Sequence, residues 1–538
     1  MRILLLLLTL HFVYAYNPYR DYLFCRYRED LSVCERAIKH APTPTLFVDT
    51  VRLAILQKKY DRALQLALEF RKQYPKLPEA YLTLHSVYSV RGEQHKAMSA
   101  LEEGYRVVPD SPQILLLLAD EYMRRSQYDK ATPLLQRLSE LNPQNPLPYY
   151  LLARLYMAQG DQKKAIEYLE KSLRVKPTFE AGFITLGGLY ESRGELSKAE
   201  TLYKSILEKD PNNRVALERL ASLYASSGRW EEAKETYRKL IDLYPDSGYQ
   251  YQYALVLIKA SQYEEALQVL SELRQKNKDD LQVNFTYGVV LELLKRTEEA
   301  KKVYEELLQK DPNNVRIMER LAGVYADLGD YTKAEETAQK VLKIDPSNYN
   351  MLLLMAHLLS ETNRLQDAFL YVQKAKEINP NDYRVYFVTA ILLDKEGKYL
   401  EAEKNLRKAI ELNPEDPDLY NHLGYSLLLW YHSARVEEGE KLILKALEKD
   451  PDNPAYLDSY AWALYYRGKY HEAYQLLKKA LEKEKEDPVI HEHMGEVLMK
   501  LGNREEALYH YREALKLLEK GKRGEPGQKE RLMEKLRF

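Results

Sequence analysis

The stretch "HEHMGE", His491–Glu496, sets two histidines beside glutamates, the residue types from which a hydrolytic metal centre is built. A zinc-binding helix carries its histidines four residues apart, so that both project from one face toward one ion. The residue four after His491 is Gly495, and His491 and His493 are only two apart, a spacing that diverges on a helix. His471, in "KYHEAY", has no ligand partner at a suitable spacing. The chain also contains no glycine-rich phosphate loop and no serine-nucleophile signature. No catalytic residue, metal or cofactor is expected, and the protein reads as a non-enzyme.

Redox chemistry is confined to Cys25 and Cys34, the only two cysteines. On one straight helix nine residues would place them about 13.5 Å and half a turn apart, out of bonding reach. A disulfide therefore needs a bend, which "REDLS" (Arg28–Ser32) can supply, with Ser32 capping a second short helix. Two buried thiols are the alternative. The stretch "MRILLLLLTLHFVYAY" has one basic residue, Arg2, an apolar run from Ile3 to Val13, and small Ala15. It reads as a secretory leader over residues 1–15, cut after Ala15, and is shorter than the ~20 apolar residues of a comfortable membrane span. An uncleaved anchor is the alternative. The expected location is outside the cytoplasm, in a bacterial periplasm, where a disulfide can persist.

Lys and Arg number 80 against 81 Asp and Glu, a formal net charge of −1, which removes the electrostatic case for a nucleic-acid partner. Tyrosine, with 45 copies, is the conspicuous excess. What orders the chain is an alanine at a fixed spacing. Ala63, Ala97, Ala131, Ala165, Ala199 and Ala233 stand thirty-four residues apart; Ala266, Ala300, Ala334, Ala368 and Ala402, then Gly439, Ala473 and Ala507, continue the series. One residue is missing before Ala266 and three are added before Gly439. Each unit holds two amphipathic helical patterns. In "FITLGGLYESRGELSKAETLYKSILEKDP", Phe183, Leu186, Gly187 and Tyr190 form the first stripe, and Ala199, Tyr203 and Ile206 the second. Gly194 ends the first helix and Pro211 opens the next unit.

The period and pattern resemble the tetratricopeptide repeat. The small residue of the first helix appears as Gly187, Gly288, Gly424 or Gly495 and elsewhere as Ala119, Ala153, Ala221 and Ala322; an aromatic follows as Tyr88, Tyr122, Tyr156, Tyr190, Tyr224 and Tyr325. The resemblance implies an all-α, right-handed α-solenoid of about fourteen helical hairpins over residues 44–521. Capping helices with the cysteine pair precede it (16–43), and a basic linker with a short capping helix follows (522–538). In that helix Leu532, Met533 and Leu536 share a side.

The same resemblance implies an inner groove lined by the first helices. Its fifth position in successive units holds Tyr150, Ile184, Tyr251, Phe285, Leu353 and Phe387, interrupted by Glu218 and Glu319. An apolar, aromatic groove suits an extended or helical peptide; packing against the neighbouring hairpin is the alternative reading. Asn421 alone resembles a residue of the carboxylate clamp known in the family, without its lysine partners. In "LLLWYHSARVEEGE" the lengthened turn carries Trp430, Tyr431 and His432, which suit a contact site or fold back over their hairpin. Similarity to exported bacterial repeat proteins implies a scaffold for proteins or peptide segments in cell-envelope assembly, polysaccharide export, pili or secretion. Peripheral association with envelope complexes is part of that reading. A docking or regulatory subunit of a separate glycosyltransferase or peptidase, and a lumenal co-chaperone, are the other two readings.

Overall fold

The computed structural model describes Leu23, Cys25 and residues 30–522, 524, 525 and 527–537. The expected leader and its cut after Ala15 lie outside the described residues. Among those described, the regular elements are helices and no strand occurs. They divide into two units between Gln262 and Tyr263. The first unit begins with a short helix, Leu31–His40, and continues through six hairpins from Pro44–Leu56 with Tyr60–Gln73 to Arg214–Ser226 with Trp230–Leu243, ending on Ser247–Lys259. The second starts on Tyr263–Lys276 and runs through seven hairpins, from Leu281–Leu293 with Thr297–Lys310 to Pro488–Leu501 with Arg504–Glu519, before a last helix, Gln528–Lys535.

Local chemistry sets the helix ends. Asn213, Asn314, Asn348 and Asn453, the last residues of "DPxN" turns, cap first helices by accepting a hydrogen bond from a backbone N–H. The turn inside a hairpin needs one left-handed residue, which Gly194 supplies at φ 72° in the fifth hairpin. Lys58, Lys295 and Asn363 take the same conformation without being glycine.

Packing explains the alanine spacing. Every alanine of the series is at most 1 % exposed, sitting on the fourth residue of its second helix where that helix meets the first. Where the facing position is glycine, a tyrosine fills the gap. A Cβ on Gly187 would lie 2.0 Å from the Tyr203 hydroxyl oxygen, on Gly288 2.6 Å from the Tyr304 ring, and on Gly495 2.4 Å from that of Tyr511. These tyrosines donate to glutamates of the first helix, Tyr203 to Glu191 at 2.6 Å, Tyr511 to Glu496 at 3.0 Å, and Tyr304 to Glu292. The twelfth hairpin, Pro417–Tyr431 with Val436–Lys449, absorbs its three extra residues in a 3-10 turn, His432–Arg435. Its helices cross glycine on glycine: a Cβ on Gly439 would meet the Gly424 carbonyl oxygen at 2.9 Å and Leu428 Cδ2 at 3.0 Å.

A second regularity joins one hairpin to the next inside each unit. The first-helix tyrosines send their hydroxyls to a glutamate on the preceding second helix: Tyr122 to Glu102 (2.9 Å), Tyr190 to Glu170 (3.3 Å), Tyr224 to Glu200 (3.1 Å) and Tyr325 to Glu305 (2.7 Å). A lysine of the same hairpin covers the ring at Tyr122 (Lys130, 5.3 Å), Tyr190 (Lys198, 5.6 Å) and Tyr325 (Lys333, 5.4 Å). Burial, then the Glu102 carboxylate, pushes the Tyr122 phenol up to about 12, so the hydroxyl stays a donor.

At the first unit's start Cys25 and Cys34 form a disulfide, buried with Phe47 and Phe70. The cap of the following helix is Asp30, accepting from the Ser32 N–H and hydroxyl; Ser32, the expected cap, is already the second residue of the helix.

Gly439→Ala installs the residue that thirteen other units carry. Here it is expected to destabilise the twelfth hairpin by about 1–3 kcal/mol, because backbone and not a flexible side chain must move. Thermal unfolding followed by hydrogen exchange of 417–449 checks this; unchanged protection would refute the crossing argument.

Candidate functional site

The expected groove residues share a register but not an environment. Tyr150 and Ile184 are half-buried on consecutive hairpins of the first unit, and Tyr251 is half-buried on Ser247–Lys259. Tyr150 meets Phe179, at the start of the next hairpin, edge-on with ring centroids 5.6 Å apart. Phe285 and Leu353, expected to face a ligand, instead belong to the core of the second unit at 9 % and 8 % exposure. The Arg316 guanidinium lies 4.3 Å over the Phe285 ring, and Leu353 clusters with Ala375 and Val385. Phe387 is half-buried and meets His422 edge-on at 5.0 Å. The interrupting glutamates behave alike: Glu218 accepts from Tyr249 and Glu319 from Asn348. The fifth position is thus a series of bridges to the following hairpin, left partly open where the first unit carries Tyr150 and Ile184.

The aromatic loop does not project. Trp430 folds back on the preceding hairpin, where its indole N–H donates to Asp394 and its ring stacks on Tyr399 at 5.4 Å. Tyr431 is half-buried beneath the Arg435 guanidinium at 5.1 Å, and Arg435 itself is held by Glu403 and Glu438. Only His432 is exposed, at φ 49°, with its Nδ1 3.0 Å from the Tyr466 hydroxyl. The three extra residues close the turn over the hairpin, and that leaves no free aromatic knob.

A constellation the sequence reading passed over lies on the first helices of the last three hairpins. The register puts Asn421, Asp458 and Glu492 at one level and Tyr425, Trp462 and Glu496 at the next. His493 Nδ1 donates to Asp458, 2.8 and 3.0 Å from its two oxygens, and its ring stacks on Trp462 at 4.0 Å. The Tyr425 hydroxyl stands 3.4 Å from His493 Nε2 and donates to Glu525. Burial alone would push the imidazole pKa down; Asp458, with Glu525 and Glu492 beyond it, outweighs burial and raises it. His491 turns away as its spacing requires, its Nδ1 2.8 Å from His510 Nδ1. The signal in the sequence was the repeat register itself, which aligns Asp458 and Trp462 with the groove positions. Among the described residues no group of three potential metal ligands occurs, and no helix is long and apolar enough to cross a membrane. A cleft of about 920 Å³ elsewhere, between the helices Gln162–Val175 and Leu196–Lys209, is lined by Leu173, Leu186, Leu202 and Ile206 and contains none of the expected groove residues.

Three histidines carry a pH dependence. Burial pushes His422 down to about 4, and burial with the neighbouring His491 does the same to His510. The unfolded chain takes up protons on both near pH 6.5 while the folded chain does not, so stability falls as pH drops from about 6.5 to 4. His493 has the opposite sign: its contribution is complete below pH 6.5 and is lost as pH rises through its raised folded value. Denaturant unfolding of the His422→Gln, His510→Gln chain is expected to show a flatter acid limb; an unaltered slope would refute the assignment.

Family models described as "Tetratricopeptide repeat" match residues 122–184, 190–256 and 325–387, and one described as "TPR repeat" matches 394–429. A model of the "Psidin, N-terminal TPR repeats region" matches 249–353, and one of "Anaphase-promoting complex, cyclosome, subunit 3" matches 432–514. No curated protein sequence matches the chain. Among solved structures, a tetratricopeptide repeat protein from Parabacteroides merdae is 20% identical over 47% of this chain and 98% of its own, with a TM-score of 0.41. Yeast Tom70 is 19% identical over 79% and 95%, with a TM-score of 0.38. The Cut9–Hcn1 hetero-tetramer of the APC/C is 17% identical over 88% and 95%, with a TM-score of 0.40. Together with the thirty-four-residue hairpin and its alanine crossing, the repeat models show that the chain belongs to the tetratricopeptide repeat family.

Proposed function

We infer that the chain is a protein–protein interaction scaffold, the class that its tetratricopeptide repeats indicate and one that is generally non-catalytic. We propose that this chain is an exported, non-enzymatic scaffold that holds an extended or helical peptide segment of a cell-envelope assembly, polysaccharide-export, pilus or secretion partner. The observation that carries the binding reading is the juxtaposition of half-buried Tyr150 and Ile184 at equivalent positions of adjacent hairpins. Apolar anchors held by a rigid backbone are what peptide capture requires, since a few buried side chains supply most of the affinity. The second unit contributes less to that face, because Phe285 and Leu353 are already committed to its core. Export is supported by the short apolar run Ile3–Val13 and by the Cys25–Cys34 disulfide, which an oxidising compartment preserves.

A photo-crosslinking residue in place of Ile184 is expected to trap an envelope protein in intact cells, and one at exposed Leu196 is not. Tyr150→Ala is expected to reduce that adduct about tenfold, the effect of losing one anchor of roughly 1.4 kcal/mol. Equal trapping from both positions would sink the groove reading. The mature chain is expected to begin at Tyr16 by N-terminal sequencing; Met1 retained on membrane-bound protein would replace export by anchoring.

A further inference from the structure

The chain's own C-terminal segment reaches first helices of the twelfth and the last hairpins. The helix Gln528–Lys535 packs beside Arg504–Glu519 and reaches Pro488–Leu501 through polar side chains. Gln528 Nε2 donates to the Pro488 carbonyl at 2.8 Å, Arg531 pairs with Glu492 at 3.2 Å, and Lys535 pairs with Glu492 at 2.7 Å and with Glu496. In the connection before it, Glu525 accepts from Tyr425 of the twelfth hairpin. Leu532 is fully buried, Leu536 partly, and Met533, expected on the same side, is 42 % exposed. An eight-residue helix does not hold itself together in water, so its place depends on these contacts. The connection turns through Gly521 at φ 86° and Gly527 at φ 71°, hinges that reorient without steric cost.

The surface beneath is built differently. Glu492, 5 % exposed, pairs with two cations of the segment, and Glu496 adds a further carboxylate to the same face, while Asp458 is held by His493. Two buried polar atoms on that face, Asn421 Oδ1 and Trp462 Nε1, have no hydrogen-bond partner. Such a surface, once bare, is a strong acceptor for a cationic helix and retains unused polar capacity while the segment covers it.

We propose that residues 524–537 are a displaceable latch, and that the inner face of the last three hairpins receives a partner helix in which an arginine and a lysine four residues apart bracket a leucine. The partner reproduces the chemistry of Arg531, Leu532 and Lys535 and adds contacts to Asn421 and Trp462 that the latch does not make. This site is separate from the Tyr150–Ile184 face and stands or falls independently of it.

The test uses the full chain and a fluorescein-labelled synthetic peptide of residues 524–537. Arg531→Glu, Leu532→Ser, Lys535→Glu in the chain is expected to release the latch and bind the peptide about tenfold more tightly than the unaltered chain by anisotropy. Adding Glu492→Gln, or replacing both cations of the peptide with glutamate, is expected to abolish the gain. Equal binding by both chains, or binding indifferent to Glu492, overturns the proposal. Hydrogen exchange on the unaltered chain decides independently should the triple variant lose its last hairpin. Amides of 528–536 are expected to exchange faster than those of 488–501 and 504–519, and faster still as salt rises. Protection equal to that of the hairpin would show a permanent cap and overturn the latch.

Discussion

The close crossing of two helices at a residue with almost no side chain is the contact from which everything else in this protein follows. A hairpin of two amphipathic helices leaves one apolar face uncovered, and only a neighbour of the same shape can cover it. The alanines from Ala63 to Ala507 are buried because the crossing admits a methyl group and nothing larger. Where the first helix retreats to glycine, the second advances with tyrosine, so Gly187 and Tyr203, or Gly495 and Tyr511, form one volume divided unequally. Gly424 and Gly439 show the limit of that exchange, in which both sides retreat and the backbones touch. The glycines at these crossings serve volume, while turn glycines such as Gly194 serve conformation.

Neighbouring hairpins within a unit are joined by a polar device laid over an apolar one. The tyrosine that packs against the hairpin before it carries its hydroxyl to a glutamate there, and its ring lies under a lysine. A phenol suits this seam because its body is apolar and its tip wet. The abundance of tyrosine is thereby explained by construction, without a ligand. Charged residues such as Glu102, Glu170, Glu305, Lys130, Lys198 and Lys333 are fastened to these rings, and that arrangement spreads specificity between hairpins over many weak contacts.

The same economy limits the inner face. Glu218, Phe285, Glu319, Leu353 and Phe387 are spent on contacts with the following hairpin, the core or both. Tyr150 and Ile184 of the first unit stay half-buried in this register, and Glu492 of the second lies under the C-terminal segment. One face is apolar and aromatic, the other acidic and buried beneath two cations.

The spacing of small residues, asparagine and aspartate caps and turn glycines is local information, and it determined the helices, their boundaries and their grouping into hairpins. The divergence of His491 and His493 was likewise legible, since it depends on helical geometry alone. What occupies the inner face was decided by tertiary structure. Phe285 and Tyr150 hold the same register position, yet one is buried beneath Arg316 and the other half-buried beside Phe179, because the residue opposite comes from the next hairpin. Trp430 finds Asp394, thirty-six residues earlier, only when the two hairpins stack. Glu525 meets Tyr425, one hundred residues away, only when the chain turns back at its glycines. Periodicity specifies which way a side chain points; what it points at depends on partners distant in sequence, and those are fixed by packing.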